Sequence, residues 1–363
     1  MGGYERYARA LLAALAALPG DHELVVFTER RYGPGLIPAD PRFQGHALAT
    51  LPLFIAKVLL QDQTYWPALM RRAHLDLVHT PIFAGMARPP RPYVLTLHDL
   101  IPLHARQTLT RLAAWYWHVI LPRAVARADL VITVSQFSRA EICSHFRLPP
   151  ERVRSIPLGV APHFRPVQDA ATLAAVRARY RLPDDFLLFV GILSPRKNVD
   201  RLVRAFAALP AHVRGATHLV LAGPPGWKNA ALERVLAGAA GACVRRLGVV
   251  ADADLPALYA LARGAVNLSS YEGFGLPALE ALACGTPLLC ADASAFPEVV
   301  GDCALLVDPC DQDAVAARLI ELLAGGPRIA AMRARGRVRA ATFTWEKTAV
   351  ATLAVYREVV GRS

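Results

Sequence analysis

No apolar run in this sequence is long enough to span a bilayer, although 54% of its 363 residues are hydrophobic. Those residues are therefore available for cores. Cysteine is sparse: six residues, at 143, 243, 284, 290, 303 and 310, with no C-x-x-C pair among them. That argues against a zinc site and against a disulfide framework, and leaves reduced, buried thiols in a cytosolic protein as the expectation. Repeats, low-complexity tracts and heptads are lacking, which excludes solenoids and coiled coils. No signal peptide is expected. The opening MGGYERYARALLAALAALPG carries Glu5, Arg6 and Arg9 at helical spacing and reads as an amphipathic core helix. Acidic residues are the scarcer charge, 29 against 41 Lys and Arg, for a net +12. The excess is heavier before Arg165 than after it. Its sign suits a phosphorylated acceptor, an anionic membrane surface or nucleic acid. Arginine dominates, as GC-rich coding would produce, and this discounts part of the excess.

The length suits two domains. Strands and helices alternate in two successive sets, which predicts an α/β protein of two doubly wound domains facing a cleft. Strands are expected at 23–28, 76–79, 93–98, 129–134 and 152–156, then at 186–190, 218–222, 245–249, 265–268, 288–290 and 304–307. PLGVAPHFRP, from Pro157 to Pro166, is rich in Pro and Gly and reads as the linker. Helices close the chain at 311–324, 327–341 and 344–360. Residues 51–74 and 110–127 are aromatic, apolar and basic. Core packing is the favoured reading of both; contact with lipid is the sharper one.

The most informative stretch runs from Asn267 to Ala291, NLSSYEGFGLPALEALACGTPLLCA. It reads as strand end, loop, short helix, turn and strand. Gly273 and Gly275 let backbone approach a ligand, Pro277 suits the first turn of a helix, and Gly285 ends it. Leu279, Leu282 and Ala283 give the helix an inward face. Free N–H groups at the helix start, about Gly275 and Leu276, form a seat for phosphate or sugar oxygens. Glu272 and Glu280 flank that seat. Carboxylates beside an anion site are costly unless hydroxyls donate to them, and ribose and hexose diols are suitable donors. The local reading is a nucleotide-sugar site.

Other candidates sit at strand ends, where ligands bind open α/β sheets. Gly191 follows the strand 186–190, and Arg196 and Lys197 precede a helix starting near Val199. A forked donor and a point charge there suit a diphosphate. His98, with Asp99 beside it, ends the strand 93–98 and is a candidate for the cleft. His79 has the same kind of position and a weaker claim. Asp252 and Asp254 read as helix caps, so no metal motif is expected.

The blocks HDLIP (98–102), VSQFS (134–138), IPLGV (156–160), GILSPRKN (191–198), YEGFGLPALEALACGTP (271–287) and PEVVGD (297–302) resemble, in order, those of the retaining nucleotide-sugar glycosyltransferases of family four. That resemblance spans nearly the whole chain and implies the two-domain GT-B fold. Residues 1–160 would be an acceptor-binding Rossmann-like domain, and 161–343 a nucleotide-sugar-binding one. Residues 344–363 would form a helix returning to the N-terminal domain. Family members open with a strand before the glycine loop. Here Gly2 and Gly3 follow Met1 at once, so the first strand is missing, and a misassigned start codon is expected. The resemblance gives Glu280 to the ribose hydroxyls and Glu272 to those of the donor sugar. His98 would contact the donor sugar, and Arg196 and Lys197 the diphosphate. Gly2, Gly3, Gly191, Gly273, Phe274, Gly275 and Leu276 would line the donor. No protein nucleophile, cofactor or metal is implied: the acceptor attacks on the face the leaving group departs from, and the leaving phosphate takes its proton. Closeness of the blocks to bacterial mannosyltransferases implies mannose transfer from GDP-mannose to a lipid-linked glycan or polysaccharide. The expected setting is cytoplasmic, with an anionic inner membrane face as a candidate peripheral contact and no nucleic-acid partner. The alternatives are a UDP-sugar transferase, an epimerase of the same fold, or a non-catalytic nucleotide-sugar-binding protein.

Overall fold

The structure, a computed structural model, describes residues 3–32, 34–51, 57–81, 85–104 and 115–362. The chain divides into two compact units, Met1–Gly159 with Thr344–Ser363, and Val160–Phe343.

The first unit opens with helix Gly3–Ala17, which buries Tyr7, Leu11 and Leu15 at four-residue steps. Glu5 and Arg9 pair one turn apart at 2.9 Å. Strands β1 (Leu24–Glu29) and β2 (Phe43–Leu48) form a two-stranded parallel sheet. Sequence reading finds β1 and misses β2, because Gln44 to Ala47 are all exposed and show no apolar alternation. Strands β3 (Val78–Thr80), β4 (Tyr93–Thr96), β5 (Leu130–Thr133) and β6 (Val153–Ser155) make a parallel sheet in that order. Every residue of β4 and β5 is buried, as continuous apolar runs covered on both faces should be. One face packs against Tyr116, Trp117, Ile120 and Leu121. On the other, Val355 and Val359 of helix Trp345–Val360 meet Val94, Leu130, Ile132 and Ile156. That last helix also packs on Gly3–Ala17. Residues 110–114 of the stretch 110–127, and 52–56 of the stretch 51–74, lie outside the described residues. Tyr116 and Trp117 are core, whereas Trp115 is exposed. Lys57–Tyr65 winds with i→i+5 hydrogen bonds into helix Trp66–Arg72. It leaves Leu59, Leu60 and Tyr65 exposed.

The second unit holds one six-stranded parallel sheet. Its strands are β7 (Phe186–Val190), β8 (His218–Ala222), β9 (Val244–Gly248), β10 (Gly264–Asn267), β11 (Leu288–Ala291) and β12 (Leu305–Val307). Their spatial order is β12-β11-β10-β7-β8-β9. Connections run outward in opposite directions from the β7/β10 pair, so this pair is the topological switch point of a Rossmann-like sheet. Helix Val199–Ala207 covers it with Val199, Leu202, Val203 and Phe206, spaced at three and four residues.

At the carboxyl ends of β7 and β8 two backbones nearly touch. Gly223 has φ +147°, and a Cβ there would lie 2.0 Å from the Gly191 carbonyl oxygen. We expect Gly223→Ala to lower unfolding stability by about 3 kcal/mol, because backbone cannot yield as a side chain does. Urea denaturation checks this, and a loss within about 0.5 kcal/mol would show that the two loops are free to separate.

Candidate functional site

The loops after β7 and β10 meet at the switch point. Pro195–Lys197 forms a single tight turn, closed by Asn198 in the left-handed region at φ 52°. The Asn198 side chain donates to the Leu268 carbonyl at 2.8 Å, and Ser270 N–H donates to the Arg196 carbonyl at 3.0 Å. These bonds lace the two loops together and aim their side chains at one point. There Arg196 Nη1 stands 2.8 Å from Glu272 Oε1 and also donates to the Tyr271 carbonyl. Lys197 Nζ donates to the same Glu272 oxygen. A third loop, after β11, contributes Ser294, whose hydroxyl accepts from Glu272 N–H at 2.9 Å. Ser294 has φ 54°, and no sequence pattern marks it.

Lys197 and Glu272 are 6% and 8% exposed, so this is a buried charge cluster. Burial alone would raise the Glu272 carboxyl. The Lys197 and Arg196 charges outweigh it and hold the group down to about 2. Burial pulls the Lys197 ammonium below its usual range, and Glu272 opposes that pull. Two cations face one carboxylate, which leaves one positive charge for an anionic ligand.

The helix beyond, Leu276–Ala283, is buried on all sides from Ala278 to Ala283, where the sequence suggests a single inward face. Gly275 precedes it at φ +95°, and a Cβ there would lie 2.8 Å from the Phe296 ring. Gly273 is buried, Leu276 is partly so, and the Phe274 ring packs edge-on against Phe343 at 5.8 Å. Glu280 is 2% exposed, with Oε2 3.4 Å from the Tyr259 hydroxyl. Gly191, at φ +150°, brings the β7 loop past Lys197; a Cβ there would stand 3.7 Å from Lys197 Cε. Asp254 does not cap its helix. Its carboxylate accepts from Arg179 and from the Tyr180 hydroxyl, and Asp252 pairs with His163 at 3.0 Å.

The remaining candidates belong to the first unit. His98 lies two residues beyond β4 and is 6% exposed. Its Nε2–H donates to the Pro81 carbonyl at 3.2 Å, and a carbonyl can only accept, so neutral His98 carries its proton on Nε2. The Tyr7 ring meets it edge-on at 4.5 Å, and Tyr4 lies at 5.2 Å. Burial lowers its pKa to about 4, so it is neutral at pH 7. His79 lies within β3 rather than at its end, and bridges Thr96 at 2.7 Å and the Tyr356 hydroxyl at 2.6 Å. It ties the last helix to the sheet. Tyr7, which hydrogen-bonds Thr96, was legible only as a core position. Gly3 is the exposed first residue of its helix, and Gly2 lies outside the described residues.

Residues 1–164 match the family model "Glycosyltransferase Family 4", and 177–339 match "Glycosyl transferases group 1". The O-antigen chain mannosyltransferase B of Escherichia coli is 33% identical over 98% of this chain and 96% of its own. The chain belongs to the family 4 glycosyltransferases. A second relative of this glycosyltransferase, the MMP alpha-(1->4)-mannosyltransferase of Mycolicibacterium hassiacum, is 30% identical over 99% of this chain and 96% of its own. Among solved structures, sucrose-phosphate synthase from Thermosynechococcus elongatus superposes with a TM-score of 0.78 at 25% identity, covering 100% of this chain and 94% of that one. The glycosyltransferase thus has the GT-B fold, built from two Rossmann-like units.

The buried neutral His98 sets a pH dependence. Its folded pKa lies below its unfolded value of 6.5, so its stabilisation is full above that value and is lost as the pH falls toward about 4. Between pH 7 and 5 this amounts to about 2 kcal/mol. In His98→Gln this part of the pH dependence should vanish. Urea unfolding of both proteins at the two pH values measures it, and parallel losses would mean that His98 is not held neutral.

Proposed function

We propose that this family 4 enzyme is a retaining mannosyltransferase that moves mannose from GDP-mannose onto a lipid-linked glycan or polysaccharide. The observation that carries the donor-site reading is the convergence of Arg196, Lys197 and Glu272 at the switch point. In this reading Arg196 and Lys197 bind the diphosphate and stabilise it as it leaves, in the place a metal would otherwise fill. Glu280 accepts from the ribose hydroxyls and Glu272 from those of the sugar. His98 is assigned to the donor sugar, as the family resemblance implies. The Gly191 loop and the segment Gly273–Leu276 bring backbone to the donor, and the family resemblance assigns Gly2 and Gly3 to it as well. The choice of mannose is supported by what the E. coli and M. hassiacum relatives are named for.

An acceptor held at a membrane fits the exposed apolar residues Leu59, Leu60, Tyr65 and Trp115, with Arg71 and Arg72 nearby in sequence. No helix among the described residues is long and apolar enough to cross a membrane. Attachment would then be peripheral, and its electrostatic part should weaken as salt rises.

Calorimetric titration in EDTA should show binding of GDP-mannose, and not of UDP-glucose or UDP-N-acetylglucosamine. Arg196→Ala should lower kcat by about a hundredfold while moving the melting temperature little. Glu280→Gln should weaken nucleotide binding about tenfold, as loss of one charge-assisted hydrogen-bonded contact does. Wild-type transfer by both variants would refute the site.

A further inference from the structure

The two cations of the donor site are already engaged. Arg196 Nη1 and Lys197 Nζ both point at Glu272 Oε1, and the turn that carries them is fixed by the bonds of Asn198 and Ser270. A diphosphate calls on the same two positive charges. The N–H groups not aimed at Glu272 can receive phosphate oxygens, but each such contact weakens the hold of that cation on the carboxylate. Glu272 is 8% exposed, and a buried carboxylate stripped of donors is strongly disfavoured. The Arg196 Nε–H is buried with no hydrogen-bond partner among the described residues, and a phosphate oxygen would satisfy it.

The two possible ligands differ in what they offer the displaced carboxylate. A nucleotide sugar brings hydroxyl donors to it. A nucleoside diphosphate, which is what remains after transfer, brings none. We infer that Glu272 is a specificity-determining residue: by competing for Arg196 and Lys197 it makes the site favour the intact sugar donor over the spent diphosphate. This rests on the reading of Arg196 and Lys197 as the diphosphate site. It adds that the carboxylate works against one ligand and for the other, so that product leaves a site which closes on itself.

The test is equilibrium titration of GDP and of GDP-mannose into the full chain, wild type and Glu272→Gln, with UDP and UDP-glucose as a second pair. Removing an internal competitor that holds the site about nine-tenths of the time raises apparent affinity about tenfold. Glu272→Gln should therefore bind the diphosphate about tenfold tighter and bind the nucleotide sugar no tighter, so the preference for the sugar donor falls about tenfold. Glu272→Asp, whose carboxylate is one methylene shorter, should shift the preference in the same direction and by less. It decides the matter if the Gln variant does not fold. Diphosphate affinity in these variants equal to or weaker than wild type overturns the inference and leaves the donor site standing. A wild type that binds neither diphosphate overturns the donor site and the inference with it.

Discussion

One carboxylate oxygen shared by two cations organises the second unit. Glu272 comes from the loop after β10, and Arg196 and Lys197 from the loop after β7, 75 residues earlier. The sheet makes them neighbours, because β7 and β10 are adjacent at the point where the winding reverses. Charges this deeply buried are tolerated only in company. The loops are accordingly held by backbone and amide bonds before any ligand arrives, and the close approach of Gly191 and Gly223 allows two turns into a space that side chains would fill. The site is preorganised because its own charges require it.

The first unit solves a different problem with neutral groups. His98 and His79 are both kept uncharged by burial, and each is fixed by hydrogen bonds that define its ring orientation. Tyr7, Thr96, His79 and Tyr356 link the first helix, the sheet and the last helix through side-chain hydrogen bonds. A polar network of this kind specifies one arrangement of these elements, where apolar packing alone would accept several.

Much of this was legible in the sequence. The strands of the second unit are continuous apolar runs bounded by glycine and proline, so their positions follow from composition. Arg196, Lys197 and Glu272 stand in loops that follow strands, where chemistry is expected, and Glu280 lies one turn into the helix that one of those loops opens. What was not legible depends on residues distant in sequence. The pairing of Glu272 with both cations cannot be read from either loop alone. Strand β2 is nearly all exposed and lacks a periodic signal. Asp254 looks like a cap because an acid before a helix usually is one; only the fold brings Arg179 and Tyr180 to it. The short helix after Gly275 looks one-sided until the elements packed around it are known.

The last helix belongs to the first unit, while everything between Val160 and Phe343 belongs to the second. The chain leaves and re-enters at one place, where Val160 N–H donates to the Phe343 carbonyl at 3.0 Å and Gly159 has room for no side chain beside Trp345. On the ribosome this inverts the usual order of maturation. The second unit is one uninterrupted segment, and it can close as soon as it emerges. The first unit is begun earlier, yet its sheet is sealed only once Val355, Tyr356 and Val359 have been made.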